Sequence, residues 1–230
     1  MDTYFKRFYQ SLNERGLRKT VRVLLSFIRD LWFDFRYKTD TMGWVEPADS
    51  DIASAKKIRG IQYQATKAKP FRMFLDQMDF PPESCFVDFG SGKGRVLLIA
   101  SRYPFKRVVG IEYSRQLCNI AQQNLVAYAK RVKVIAPVEI ILGDVVDYRI
   151  REDDNVFYFY NPFGEEIMAT VVSNIADSVK QNPRKVWIVY HVPLHRNLIE
   201  SIGPFEQQAA LEFSDAEFLV YSNKSSDVLK

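Results

Sequence analysis

Cysteine and histidine are both scarce, with two of each in 230 residues. Cys85 and Cys118 cannot build a disulfide framework, and their spacing fits no zinc motif. His191 and His195 are too few for a histidine-rich metal site and read as incidental strand or surface residues. A long apolar run is also missing. The strongest N-terminal window, Val21 to Phe33, is broken by Arg22, Arg29 and Asp30, so it is neither a signal-peptide core nor a membrane span. Charge of one sign is lacking over most of the chain. Of 32 basic and 28 acidic residues, nine and five lie in residues 1–40, which leaves a neutral body behind a basic N-terminal segment. A neutral body is a poor match for long contacts with duplex nucleic acid. These absences point to a soluble, cytoplasmic protein with no strong nucleic-acid signal.

What remains is an ordinary globular composition. Hydrophobic residues make up 47% and charged residues 26%, which excludes a disordered or fibrous chain. The length fits one domain able to bury a full core without staples. There is no internal repeat and no low-complexity stretch.

Near the N-terminus, Leu17, Val21, Leu24, Ile28, Leu31 and Phe35 follow steps of four and three, with Arg18, Arg22, Arg29 and Arg36 on a neighbouring stripe. That is an amphipathic helix with a basic flank. Its apolar face either covers the domain body or, over residues 17–36, docks on anionic lipid or a protein partner. Residues 37–62 read as a connecting segment, so residues 1–62 form an N-terminal extension and cap ahead of a main domain over 63–230.

From Lys67 the chain alternates. A helix over Lys67–Met78 ends at Pro81 and Pro82. Apolar runs at Cys85–Phe89, Val108–Tyr113, Val138–Leu142, Val156–Tyr160 and Val186–His191 are separated by helical stretches at Val96–Arg102, Gln116–Ala129, Glu165–Lys180 and about Leu194–Ile202. This order predicts a doubly wound α/β fold with a mostly parallel sheet. Ala210–Phe213 and Glu217–Tyr221 flank the turn pair Ser214-Asp215 and read as a terminal antiparallel hairpin.

Chemistry concentrates at Asp88-Phe89-Gly90-Ser91-Gly92-Lys93-Gly94, where three of the ten glycines fall within five residues. The run follows a strand and opens a helix. Glycines there allow a sharp turn and the close approach of a ligand to the backbone. A dinucleotide fingerprint would need glycine where Arg95 stands. The acid two residues ahead of Gly90 repels a pyrophosphate and suits a ligand carrying an ammonium group.

The run Phe86 to Ser101 resembles the first motif of the seven-strand, class I S-adenosylmethionine-dependent methyltransferases. The resemblance extends from Tyr63 to Tyr221 through further landmarks in order. Glu112, closing the second apolar run beside Tyr113, matches the acid that accepts the ribose hydroxyls. Asp144, with Val145 after the third strand, matches the adenine contact. Asn161-Pro162-Phe163, after the fourth strand, is similar to the Asn/Asp-Pro-Pro-Tyr/Phe motif of amino-group methyltransferases with one proline absent. The resemblance implies a seven-stranded Rossmann-like sheet and S-adenosyl-L-methionine as cofactor. It makes Asn161 an acceptor that orients the target NH and Phe163 an aromatic wall behind Pro162. The missing proline argues against the nucleic-acid-base branch.

The layout is closest to the non-SET protein lysine methyltransferases, nucleosomal and mitochondrial, in which an aromatic-plus-hydroxyl loop precedes a helix and then the glycine motif. Here Tyr63 and Thr66 take those places, and the resemblance implies that they close over the methionine part of the cofactor. On the residues alone, Thr66 is equally a helix cap. A second likeness, to uncharacterised bacterial methyltransferases with a Tyr-Asn-Pro-Phe signature, extends to Asp40-Thr41-Met42-Gly43 and places that segment over the active site. The cofactor set is therefore Tyr63, Thr66, Asp88, Gly90, Ser91, Gly92, Gly94, Glu112, Tyr113, Asp144, Val145 and Asn161, with no metal. The leading function is methyl transfer to an amino nitrogen, of a protein lysine or a small-molecule amine. O-methylation of a small or lipid-like acceptor, a non-catalytic cofactor-binding module and a nicotinamide-dependent oxidoreductase are the alternatives.

Overall fold

The structure is a computed structural model, and it describes residue 21 and residues 24–43, 65–160, 164–213 and 216–223. Tyr63, Asn161, Pro162 and Phe163 lie outside the described residues, as do Ser214 and Asp215.

A helix over residues 24–37 (α1) opens the described chain. It is followed by α2 (Ala68–Gln77), β1 (Cys85–Phe89), α3 (Arg95–Ala100), β2 (Arg107–Glu112), α4 (Arg115–Ala129) and β3 (Val138–Leu142). A single 3₁₀ turn at Val145–Asp147 leads to β4 (Asp154–Tyr160), α5 (Glu165–Gln181), β5 (Trp187–His191), α6 (Arg196–Ile202), β6 (Phe205–Phe213) and β7 (Ala216–Asn223). The seven strands form one sheet in the order β3-β2-β1-β4-β5-β7-β6. β1 to β5 pair in parallel, and β7 joins antiparallel to both β5 and β6. The expected mixed sheet and terminal hairpin are both present.

Every residue of β1 is buried, as a central parallel strand covered on both faces requires. Alternation then divides the strands between two cores. Phe86, Val108, Val156 and Tyr158 point to one side, where they meet Phe71 and Phe74 of α2 and Tyr128 of α4. Val87, Phe89, Ile111, Phe157 and Phe159 point to the other, against Met168, Val172 and Ile175 of α5. The first side also carries Asp88, Gly110 and Glu112, which keep the period-two phase of their strands. The strand order reverses between β1 and β4, so their carboxyl ends frame the crevice where open α/β sheets take ligands.

Two of the alternatives left open by the sequence are excluded. The apolar stripe of α1 does not cover the domain body: Leu24, Ile28, Leu31 and Phe35 face outward. The helix packs through the opposite side, with Asp30, Phe33 and Tyr37 buried. The reason is a polar network, described below, that outweighs the apolar stripe. Thr66 does not cap α2 either. Lys67 is the N-cap residue, with no side-chain cap bond, and Thr66 is engaged elsewhere.

Candidate functional site

The site is built on the strand ends at the crevice. Gly90, Gly92 and Gly94 all have positive φ, at 84°, 53° and 83°. Only glycine takes such a succession of left-handed turns without strain. The turn is anchored to the neighbouring strand: the amides of Gly90 and Ser91 donate to the Ile111 carbonyl at 2.9 and 3.0 Å. Gly110 makes room for this contact. A Cβ there would stand 2.7 Å from Ser91 Oγ and 2.5 Å from Leu97 Cδ1.

Two acids flank the turn. Asp88, at the end of β1, is buried, and burial pushes its carboxyl well above the ordinary range, with the Glu112 charge adding to the shift. Glu112, at the end of β2, is buried as well. Its Oε2 accepts from Gly92 N at 2.9 Å and its Oε1 from Ser114 N at 2.9 Å. Burial raises its pKa, while the amides of Ser114, Gly92 and Tyr113 pull it back. Among the described residues neither acid has a cationic partner. Two carboxylates buried side by side, one raising the other, are costly on their own. A ligand bringing a cation and hydroxyl donors would relieve that cost. The glycine turn and the two acids thus fit the amino and ribose groups of S-adenosylmethionine.

The remaining predicted residues fall around this centre. Thr66 Oγ1 and Tyr158 Oη share a buried hydrogen bond of 3.0 Å. Tyr158 is paired in register with Asp88, and burial holds its phenol far above the usual range, with Asp88 contributing to the shift. Tyr113 is partly exposed beside Glu112. Asp144 caps the 3₁₀ turn, accepting from Val146 N at 3.3 Å, and Val145 is buried in that turn. Tyr160 leads to the Asn161 segment. His191, its register partner in β5, stacks on its ring at 4.6 Å between centroids and on Phe218 at 4.4 Å. His191 is therefore a buried, stacked residue at the crevice, with Nδ1 2.7 Å from the Glu217 carbonyl.

A clamp over the glycine turn escaped most of the sequence reasoning. Lys93 Nζ donates to Asp40 Oδ1 at 2.9 Å and to the Met42 carbonyl at 2.6 Å. Arg95, buried at the start of α3, donates from Nε to Thr41 Oγ1 at 2.7 Å and lies 3.3 Å from Asp30 and 3.7 Å from Asp34. Asp34 in turn accepts from Thr39 Oγ1, Thr41 Oγ1, Thr41 N and Met42 N. The segment 39–43 is thereby fastened onto the loop that carries Lys93. The signal for Arg95 was present: a charged residue at the head of the apolar run Val96–Ala100 must find buried partners.

Residues 45–149 match the family model described as "Histone methylation protein DOT1". A curated relative, the Caenorhabditis elegans "Histone-lysine N-methyltransferase, H3 lysine-79 specific", is 26% identical over 183 residues. The match covers 65% of this chain and 19% of that protein, so this chain spans about a fifth of its length. Among solved structures, a predicted N6-adenine-specific DNA methylase from Listeria monocytogenes aligns with a TM-score of 0.52 at 14% identity, covering 69% of this chain and 51% of that one. The mitomycin 7-O-methyltransferase MmcR aligns with a TM-score of 0.50 at 15% identity, covering 68% and 53%. The chain has the class I methyltransferase fold. Those two structures are named for different acceptors, a DNA base nitrogen and an oxygen, so likeness to them conveys the methyltransferase fold alone. Within that fold, the glycine turn, Asp88 and Glu112 occupy the ends of adjacent strands, as the sequence resemblance implied.

Proposed function

We propose that this protein is an S-adenosylmethionine-dependent methyltransferase acting on a lysine amino group of a protein. The observation that carries the cofactor is the pair of buried carboxylates Asp88 and Glu112, without a cationic partner among the described residues, bracketing a turn of three left-handed glycines. Support for the lysine comes from the match over residues 45–149 and from the curated relative.

When bound, the cofactor supplies an electrophilic methyl group on a sulfonium. The chain's task is to bind, align and exclude water. Asp88 would face the ammonium of the methionine part, and Glu112, already fixed by two amides, would accept the ribose hydroxyls. Thr66 and Tyr158 hold the floor beside Asp88. Asn161 is assigned as the acceptor that fixes an amine hydrogen so that the lone pair faces the methyl, with Phe163 as the wall. Asp144 and Val145 are assigned to the adenine end and Tyr63 to closure.

Thermal melting with S-adenosylmethionine, S-adenosylhomocysteine or NAD tests the cofactor, because binding to the native state raises the melting temperature. A shift with NAD alone would overturn the reading. Labelled cofactor in a lysate, followed by mapping of the modified residue, tests the acceptor. Label on a protein lysine is expected, and label confined to small molecules or to hydroxyl groups would remove the lysine assignment. Asn161→Ala should keep most of the melting shift, since the other cofactor residues remain, and lower turnover by about tenfold or more; unchanged turnover would show that the orienting role lies elsewhere.

A further inference from the structure

Among the described residues, α1 is turned the wrong way for a helix covering a core. Eight of the fifteen exposed large hydrophobic side chains lie on it and on the adjoining helical residue Val21. They share one side, where Leu24, Ile28, Leu31 and Phe35 form a ridge with Phe27 and Trp32 beside it. Trp32 is 56% exposed and Phe35 is 70% exposed.

The helix cannot roll over to bury this ridge. Its inner side is held by polar bonds: Asp30 accepts from Ala68 N at 3.1 Å and pairs with Arg95, and Asp34 collects the donors of residues 39–42. Rotation would leave Arg95 charged and unpaired in the core, which is far costlier than an exposed ridge.

The same arrangement sorts the charges. Both acids of α1 are spent inward, so no acidic side chain of the helix is exposed. Its cations all remain outside. Arg29 and Arg36 are exposed, and the next residue after the helix, Lys38, is exposed as well. Arg36 lies 5.4 Å over the Trp32 ring and Lys38 Nζ lies 4.4 Å over the Phe35 ring. Cation and aromatic therefore sit side by side at the border of the ridge. The sequence ahead of the helix adds Arg15, Arg18, Lys19 and Arg22.

We propose that α1 lies on anionic lipid, with the Leu24–Phe35 ridge in the headgroup–acyl boundary and Arg29, Arg36 and Lys38 among the phosphates. No helix among the described residues is long and apolar enough to cross a membrane, so the contact is interfacial. Charge favours lipid over a second copy. A two-fold pairing of this face would bring the arginines of one helix against those of the other, with no exposed acid on either helix to separate them. Residues 1–20 are themselves basic and supply no better counter-charge.

The test uses the full chain and vesicles of phosphatidylcholine, with and without about one-third phosphatidylglycerol. Co-sedimentation with the anionic vesicles is expected, together with loss of binding at high salt. Trp32 fluorescence should be quenched by lipids brominated on the acyl chain, and this quenching should vanish in Trp32→Phe. The double variant Trp32→Ser/Phe35→Ser, folded by its melting curve, should bind at least tenfold more weakly, and so should Arg29→Glu/Arg36→Glu. The proposal fails if the full chain stays in the supernatant with anionic vesicles. It fails equally if both double variants bind as the parent does. A dimer in sedimentation equilibrium that the Trp32→Ser/Phe35→Ser change converts to monomer, without vesicle binding, would make the face a contact between copies and overturn it.

Discussion

Asn124, midway along α4, takes both backbone polar groups of Asp40, 84 residues away: Oδ1 accepts from Asp40 N at 2.7 Å and Nδ2 donates to Asp40 O at 2.8 Å. The same Nδ2 reaches the Lys93 carbonyl at 2.9 Å. One buried amide thus ties the segment after α1 to the glycine turn. Asn124→Ala leaves three backbone groups without their partner. At about 1 kcal/mol for each bond, the loss is roughly 3 kcal/mol, visible in urea denaturation. Cofactor affinity should fall with it, as read by calorimetry.

Arg95 is the second fastening. Arg95→Met removes the cation between Asp30 and Asp34 and leaves both acids in a largely buried setting. Breaking such a pair from one side costs about 3–5 kcal/mol. Adding Asp30→Asn to Arg95→Met should recover part of that loss, because one of the stranded charges is then gone. A double variant no more stable than Arg95→Met would show that the ion pair is not what holds α1.

Asp88 sets a trade between stability and binding. Burial raises its pKa in the folded chain well above the ordinary carboxyl value of 3.8. The unfolded state therefore gives up the proton first as pH rises, and the folded state loses stability from that point up to the folded pKa. Asp88→Asn cannot ionise, so its melting temperature should match wild type near pH 4 and exceed it increasingly at higher pH. Each kcal/mol gained is worth about 2–4 °C for a chain of this size. The same variant should lose S-adenosylmethionine affinity about 10- to 100-fold, the worth of a charged hydrogen bond. Melting curves across pH, with and without ligand, read both effects.

Gly110 is required by the glycine turn and the helix α3 packed over it. Gly110→Ala puts a methyl 2.5 Å from Leu97 Cδ1 and 2.7 Å from Ser91 Oγ, so the glycine turn must shift. Overpacking of this kind costs about 1–3 kcal/mol. The sharper reading is by calorimetry: cofactor affinity should drop, whereas Gly143→Ala, with open space around its Cβ position, should leave affinity unchanged.

The sequence exposes the skeleton of this fold because each central strand is a short apolar run between turn signals. The run at Val138–Leu142 and the start of α5 at Glu165 appear where the pattern places them. Of β6, only the second half is legible in the pattern. It is an edge strand, largely exposed from Glu206 to Gln208, and carries no apolar alternation there to reveal it. Asp88 and Glu112 were legible because acid, glycine and strand end fall in a fixed order. The clamp was not. Asn124 stands in the apolar register of α4 with Leu117, Ala121 and Tyr128, which marks it as buried but not as the partner of Asp40. Which of the two readings of the α1 face holds is hidden for a related reason. Periodicity finds the apolar side of a helix, while here the inward side is fixed by Asp30, Asp34 and Arg95, residues whose pairing is invisible until the chain is folded.

The reversal of strand order between β1 and β4 divides the labour of the molecule. Everything assigned to the nucleoside sits on the ends of three consecutive strands, within one continuous stretch that closes before β4 begins. The residues proposed to meet the acceptor, Asn161 and Phe163, follow β4 in the sequence. On the proposed function, exchanging the segment after β4 should therefore change the acceptor while affinity for the methyl donor stays intact.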